Sequence, residues 1–472
     1  MLNLVQKEMA DYGQDRRVRW IGLTLYALFA VALASGYTTY VSTNRTHTDA
    51  ADASYRQWLA QGTKNPHGAA HYGFYVYKPL SPLSVLDRGL ENYLGQAVWL
   101  EAHNQNEVKQ RDANDAGNLA RFGSLTVGFV WQFLVPLAIV LLGFNLFTKE
   151  REGGTLRLLF SAGVAPRYIL WGKAVALYRV VLALVAPMLV LAGMAVWLAG
   201  GTDAFFDILP NLGLMLAIYL VYFALWTGVA LLVSARASGS GIALVTLLGL
   251  WAFGTFVVPR LGSSLAKTVY PAPSSFAFSH NVRLDNELGI DRKTPVSLRR
   301  KRLDDSLLTR YGVDTITKLP IGYQGVLLQE GEEYGELIYA HNYGALHETY
   351  ARQDALMDLI NGLSPALAMQ SLSAGLAGTN LPKQLHFAKQ AEQHRQLIAQ
   401  TMNRDIIQHG AGQAAYQVGP ALWKAVPPFR YEPPPFRFVL QQLVLSLAAL
   451  SVWIFVVAFL LNQTAYRIRL DL

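Results

Sequence analysis

The sequence predicts a mainly α, polytopic membrane protein with six transmembrane helices and a large, mostly helical extracytoplasmic domain. Three observations carry that prediction. Six apolar runs each approach the roughly 20 residues that a helix needs to cross a bilayer. Apolar residues make up 52% of the 472-residue chain and charged residues only 15%, against about 25% in soluble domains. The charges are also gathered between the apolar runs, because a charge in hydrocarbon costs several kcal/mol.

Residues 1–18 are mixed, and Leu2, Leu4, Val5 and Met9 form one face of a short helix suited to lying on a membrane surface. Arg16, Arg17 and Arg19 precede the first apolar run, 20–40. A cleaved leader is the rival reading, since Ala32-Leu33-Ala34 is followed by Ser35; Glu8, Asp11 and Asp15 in the leading segment favour an uncleaved span. Residues 41–125 form a first polar insert. Pro79 and Pro82 break helix there, and a helix is expected over 90–106. Four runs follow at 126–147, 180–198, 208–233 and 241–258. Lys173 and Arg179 precede the core of the third span, where long side chains snorkel toward the interface. Residues 259–436 form the second insert. Leu385, Ala388, Leu397, Ile398, Met402 and Ile406 mark an amphipathic helix beginning after Pro382, and another is expected over 332–359. Pro433-Pro434-Pro435 stiffen the approach to the last run, 438–461.

Six spans place both ends of the chain on one side. Arg16, Arg17, Arg19, Lys149, Arg151, Arg157, Arg167, Lys173, Arg236, Arg467 and Arg469 all fall on that side, which the positive-inside rule makes cytoplasmic. The two long inserts then lie outside, with Arg299-Arg300-Lys301-Arg302 read as a solvated helix face. The net charge of +8 comes from 40 basic and 32 acidic side chains. It reflects basic membrane edges, since no aromatic-basic platform for nucleic acid is present. Cysteine is absent, which excludes disulfides, thiolate metal sites and cysteine nucleophiles.

The stretch from Phe144 to Arg167 stands out. A charged run, Lys149-Glu150-Arg151-Glu152, meets Gly153-Gly154 and Thr155, then a short amphipathic helix with Leu156, Leu158, Leu159 and Phe160. The glycine pair permits a sharp turn, and Glu150 and Glu152 lie where negative charge suits a helix N-terminus. On residues alone, two readings stand. The Leu156/Leu159/Phe160 face fills a groove on a soluble partner, or the leucines fold back on the membrane surface.

Other chemistry is thinly marked. His67 and His71 share i, i+4 spacing, but Pro66 and Gly68 argue against a helix there, and no third or fourth zinc ligand is indicated. His341, His347 and Glu348 form another grouping, as do His386 and His394; no metal site is assigned. No G-x-S-x-G elbow appears, and His347-Glu348 does not continue into a zincin motif. Gly172-Lys173 is followed by Ala174, so the chain carries no P-loop. Neither a catalytic constellation nor buried carboxylates deep in the spans support a membrane enzyme or a proton-coupled carrier.

The segment KEREGGTLRLLFSAGVAPRYILWGKAV resembles the coupling segment of ABC-2 type transporter permeases, in which an acidic E-x-E-x-GT stretch leads into a short helix that docks on an ATPase. The matching residues here are Glu150, Glu152, Gly153, Gly154, Thr155, Leu156, Leu158 and Leu159. More narrowly, PLSPLSVLDRGL near 79–90 and SPALAMQSLSAGLAGT near 364–379 are similar to the branch with large extracytoplasmic insertions, related to permeases of nitrous-oxide-reductase maturation and gliding motility. The resemblance covers the spans and the hairpin at 149–167, and not most of the inserts. It implies a permease subunit of the bacterial inner membrane with both termini cytoplasmic, moving substrate, by export, under power from a separate ATPase that binds ATP and Mg. It also implies a second permease beside this one and allows a periplasmic partner. The chain itself takes no cofactor and does no catalysis in this reading. The domain boundaries follow: 1–40, 41–125, 126–258, 259–436 and 437–472. The alternative is a non-transporting scaffold or sensor whose outer domain binds an envelope partner.

Overall fold

The computed structural model describes residues 2–111, 125–413 and 415–467. Arg469 lies outside them, as does the end of the first insert. The chain is predominantly helical, and among the described residues five helices are long and apolar enough to cross a membrane.

The first helix, α1 (Leu2–Gln14), forms as expected, but it packs on the protein through Val5, Glu8 and Tyr12, and Leu2 is exposed. Asp15 caps α2 (Arg16–Leu59) by accepting from the Arg17 amide. This helix does not stop where hydropathy falls at residue 40. It continues to Leu59, because the polar stretch 41–59 contains no Gly or Pro to break it. At 1.5 Å per residue its 44 residues reach about 66 Å, twice the hydrocarbon thickness. His47, Ser54 and Trp58 keep one buried face along the extension.

After the short helix α3 (Pro66–Tyr72), strands β1 (Phe74–Tyr77) and β2 (Ala97–Leu100) pair antiparallel, with Phe74 opposite Leu100 and Tyr77 opposite Ala97. Two expectations fail here. Pro66 does not prevent α3; it occupies the first turn, where its missing N–H is no loss, while the Asn65 side chain caps the helix by accepting from the His67 amide. The helix expected over 90–106 is instead a short 3-10 turn, Glu91–Tyr93, followed by β2. Val98 and Trp99 favour an extended pleat, and Trp99 packs edge-on against Tyr75 with ring centroids 4.6 Å apart.

The next helix, α4, spans 127–143 and contains a π turn, Val130–Leu134, just before Pro136. The same arrangement recurs where α8 (Ser240–Ala252) passes through a π turn, Phe253–Val257, into α9 (Val258–Val269) just before Pro259. A proline lacks one helical donor and clashes with the carbonyl four residues back, and a widened turn relieves both. The helix therefore runs past residue 258, the boundary set by hydropathy. Between α4 and α8 come α5 (Thr148–Glu152), α6 (Thr155–Ser161) and α7 (Pro166–Arg236). The 71-residue α7 breaks at Gly201, whose φ of 69° and ψ of −179° lie outside the helical region. Its two arms fold back on each other, and the Tyr178 hydroxyl donates to the Leu220 carbonyl at 3.1 Å.

The remaining helices are α10 (Ser275–Leu288), α11 (Val296–Tyr311), α12 (Tyr323–Asn361), α13 (Pro365–Ala377), α14 (Leu381–His409), α15 (Pro420–Trp423) and α16 (Phe436–Arg467). The amphipathic pattern after Pro382 is α14, although Leu397 is exposed and the buried face runs through Phe387, Ala391, Ile398, Met402 and Ile406. Among the described residues, two apolar cores result. One fills the space among the long apolar helices. The other joins the two inserts: Trp58, Phe74 and Val98 from the first pack with Phe387, Met402 and Trp423 from the second. The Trp58 indole donates to the Trp423 carbonyl at 2.9 Å, and the Trp423 indole to the Gly62 carbonyl at 2.8 Å. The two inserts, separate in sequence, thus share one core.

Candidate functional site

The elbow between α4 and α7 is built from short-range geometry. Gly153 closes α5, and Gly154 takes φ of 71°, the left-handed conformation that favours glycine, to start α6. Its charged residues each reach a different element. Glu150 accepts from Lys173 of α7 at 3.0 Å and from Lys7 of α1 at 3.3 Å. Lys173 also meets Glu8 of α1 at 2.9 Å. Arg151 donates to the carbonyls at the end of α7, to Ala235 at 2.8 Å and to Ala237. Glu152 accepts from the Ser240 amide at 2.6 Å and from its hydroxyl at 2.9 Å, so it caps the start of α8. Behind them, Thr148 and Ser240 share a hydroxyl contact of 2.8 Å, and the Phe147 amide donates to Ser234 at 3.0 Å. Arg236 continues the chain of contacts to Thr464 of α16 at 3.1 Å. The elbow is a bracket tied to α1, both ends of α7, and α8.

Two expectations change. Lys173 does not snorkel; it is 2% exposed, and its ammonium is held between Glu8 and Glu150. Arg179 is exposed. Leu156 does not face outward, because it is 1% exposed in the protein's own core, with Leu159 and Phe160 packed partly against that core. The outward face of α6 is Thr155, Arg157 and Leu158, the last 69% exposed, with Glu152, Gly153 and Gly154 beside it. Periodicity marked the leucines but not which side of the helix the core occupies.

A second convergence joins the spans to the inserts. Asp87, from PLSPLSVLDRGL, and Ser373, from SPALAMQSLSAGLAGT, meet by a hydrogen bond in the core. Asp87 also accepts from the Gln132 amide group of the π turn in α4 at 2.9 Å and from the Gly89 backbone at 2.9 Å. The Tyr219 hydroxyl of α7 lies 3.0 Å from Gln132 and 2.8 Å from Ser373. Burial raises the Asp87 carboxyl above the usual range, against the pull of these donors. Gly89 is needed because a Cβ there would stand 2.5 Å from the Thr379 hydroxyl. Beside this junction a cleft of about 530 Å³ opens, lined among others by Arg88, Asp354, Asp358, Gln370 and Gln442.

The histidines sort differently from their sequence groupings. Glu348 pairs with Arg352 at 2.5 Å, and His347 lies against Tyr343, so His341, His347 and Glu348 do not converge on an ion. His386 contacts Tyr431, and burial lowers His394 to about 4. His67 and His71 do share a helix face, and His103, three residues beyond the end of β2, joins them. The basic run on α11 is solvated at Arg300, Lys301 and Arg302, whereas Arg299 stacks 3.6 Å over the Tyr334 ring and pairs with Glu330 at 3.4 Å.

Residues 291–432 match a family described as a domain of unknown function, DUF3526. The match covers α11 to α15, which lie largely in the second insert, and reaches neither the elbow nor the long apolar helices before it. No curated protein matches the chain.

Proposed function

We propose that this chain is the membrane-spanning subunit of an ABC-2 type transporter, with six spans, counting α7 as two, and an extracytoplasmic domain made from both inserts. A separate ATPase docks on the elbow from the cytoplasmic side. The observation that carries this reading is the bracket itself. A short helix with an outward leucine stands at the turn between two apolar helices, and Glu150, Arg151 and Glu152 each tie it to a different long element. A load applied at Leu158 passes through short, charge-assisted bonds into α1, α7 and α8 together, and a packed interior moves as discrete units. A surface loop with no mechanical role has no need of such ties.

Within this reading, ATP binding closes two partner ATPases, and the elbows of two permeases follow. The spans switch between packings, and the polar junction at Asp87 passes the movement to the outer domain. The cleft beside Asp87 is the place where substrate leaves or an envelope partner engages. The basic side chains around the elbow support its cytoplasmic placement.

The test uses the absence of native cysteine. Leu158→Cys is expected to react with a membrane-impermeant thiol reagent only after the cytoplasmic face is opened, and Phe276→Cys, on exposed α10, from outside intact cells. In the same membranes, the wild-type chain solubilised in mild detergent recovers an ATPase, and Leu158→Asp loses it while keeping its unfolding temperature. Labelling of Leu158→Cys from outside, or full ATPase recovery with Leu158→Asp, overturns the proposal. ATP-dependent flux in proteoliposomes separates it from a scaffold that transports nothing.

A further inference from the structure

We propose that His67, His71 and His103 form a three-imidazole binding site for a divalent transition metal of the Zn²⁺, Cu²⁺ or Ni²⁺ class on the surface of the outer domain. One ring nitrogen from each lies within 4.8 Å of the others. The site is assembled from local rules. Asn65 and Pro66 start α3, and the i, i+4 spacing then lays both rings on one face, with the two Nε2 atoms 3.1 Å apart. Ligand nitrogens about 2.0–2.1 Å from a tetrahedral ion stand roughly 3.3 Å apart, so this pair is already at chelating distance.

His103 supplies the third ring, its centroid 5.0 Å from each of the others. It does so from a backbone φ of 66°, a left-handed conformation costing about 1–2 kcal/mol for a residue with a side chain. What holds it there is Glu332 of α12, which accepts from the His103 amide at 2.7 Å and from its Nδ1 at 2.6 Å. With Nδ1 donating to Glu332, the lone pair of Nε2 is left free for an ion. Glu332 is itself 2% exposed and fixed by Arg395 at 2.8 Å, and Arg395 by Glu392 at 2.9 Å. A carboxylate that orients a ligating imidazole from behind is the usual support of a metal site. A simple hydrogen bond between His67 and His71 explains their contact, but not the strained His103 backbone or the buried carboxylate that secures its ring.

The donor set chooses the ion. Neutral imidazole nitrogens, with no carboxylate or thiolate among the three ligands, suit borderline transition metals and not Mg²⁺ or Ca²⁺. His71 is exposed, which leaves a coordination position for water or for a donor from another molecule. Glu332 is a positioning residue in this site, acting through His103.

The full chain in detergent, stripped with a chelator, is titrated with Zn²⁺ against a chromophoric competitor, and with Co²⁺ to read coordination from its visible spectrum. One ion per chain is expected, with the Co²⁺ spectrum of a four-coordinate site. His67→Ala and His71→Ala lower the affinity at least 10-fold with an unchanged unfolding temperature, and Glu332→Gln lowers it about 10- to 100-fold. Since Glu332→Gln disturbs a buried ion pair, the exposed His71→Ala carries the decision. His341→Ala leaves binding untouched. No saturable binding at 1:1 in the wild type, or equal affinity in His71→Ala, overturns the proposal.

Discussion

Lys173 illustrates how a single side chain organises the elbow. Its ammonium, 2% exposed, is neutralised by two carboxylates from different elements, Glu8 and Glu150. Removing the cation leaves two largely buried carboxylates with only the half-exposed Lys7 between them, and breaking a buried pair typically costs about 3–5 kcal/mol. Lys173→Ala is therefore expected to lower the unfolding temperature in detergent sharply. Adding Glu8→Gln should recover part of that loss, because Lys7 then has one carboxylate fewer to neutralise. Equal unfolding temperatures for Lys173→Ala and the wild type would show that the pair contributes nothing. Leu156 and Leu158 make the complementary point: two leucines two residues apart differ in exposure from 1% to 69%, so one belongs to the fold and the other is free for contact.

At the scale of elements, the break in α7 is set by one residue. The φ of 69° and ψ of −179° at Gly201 lie in a region open essentially only to glycine, and a Cβ added there meets no atom within 4 Å. Crowding therefore contributes nothing, and the penalty of Gly201→Ala is conformational alone, about 1–3 kcal/mol. That loss is read as a lower thermal midpoint. An unchanged midpoint would mean that the turn is made by its neighbours. The π turns before Pro136 and Pro259 follow the same logic in reverse: proline cannot complete the ladder, and the helix widens without stopping. Gly36 shows a third case, since a Cβ there would lie 2.3 Å from the Val85 carbonyl, and α2 approaches the first insert this closely only because the position is glycine.

For the molecule as a whole, the shared core of the inserts makes the domain they build together sensitive to acid. Burial raises the Glu332 carboxyl, but hydrogen bonds and charge from His103 and Arg395 outweigh it and hold the group at about 2, below its ordinary 4.5. The unfolded chain binds the proton more readily, so this stabilisation is complete above 4.5 and is lost as pH falls through 2. At about 1.4 kcal/mol per unit it amounts to roughly 3 kcal/mol. His67 and His394, both lowered by burial to about 4 from 6.5, act in the same sense over a higher window. Their contribution is present above 6.5 and fades as pH falls to 4. Unfolding temperature followed by tryptophan fluorescence should thus decline in two stages below 6.5, and His67→Ala with His394→Ala should flatten the first. A midpoint constant from 7 to 4 in the unmodified chain would contradict this.

Much of the architecture was legible because it rests on composition and period. The apolar runs, the α14 periodicity and the turn at Gly153-Gly154 are local properties, since lipid and backbone geometry act on each segment alone. The extension of α2 to Leu59 was missed because hydropathy measures where lipid ends, not where helix ends. The strand Ala97–Leu100 was missed because its partner, Phe74–Tyr77, lies some twenty residues away. The elbow's residues were visible, but the inward turn of Leu156 and the burial of Lys173 depend on α1 and the main core, which the local pattern does not contain. His103 carried no signal at all: a single histidine after a strand acquires meaning only from Glu332, which lies in the other insert.

By itself, the sequence determined a cysteine-free, mainly helical chain with apolar helices, two polar inserts and a charged glycine elbow, because these follow from short-range chemistry and the length of a spanning helix. Tertiary structure alone decided that the inserts share one core, that the elbow is tied to three other elements, and that three histidines meet over a buried carboxylate. Each of those joins residues far apart in the chain, and only packing determines which distant side chains become neighbours.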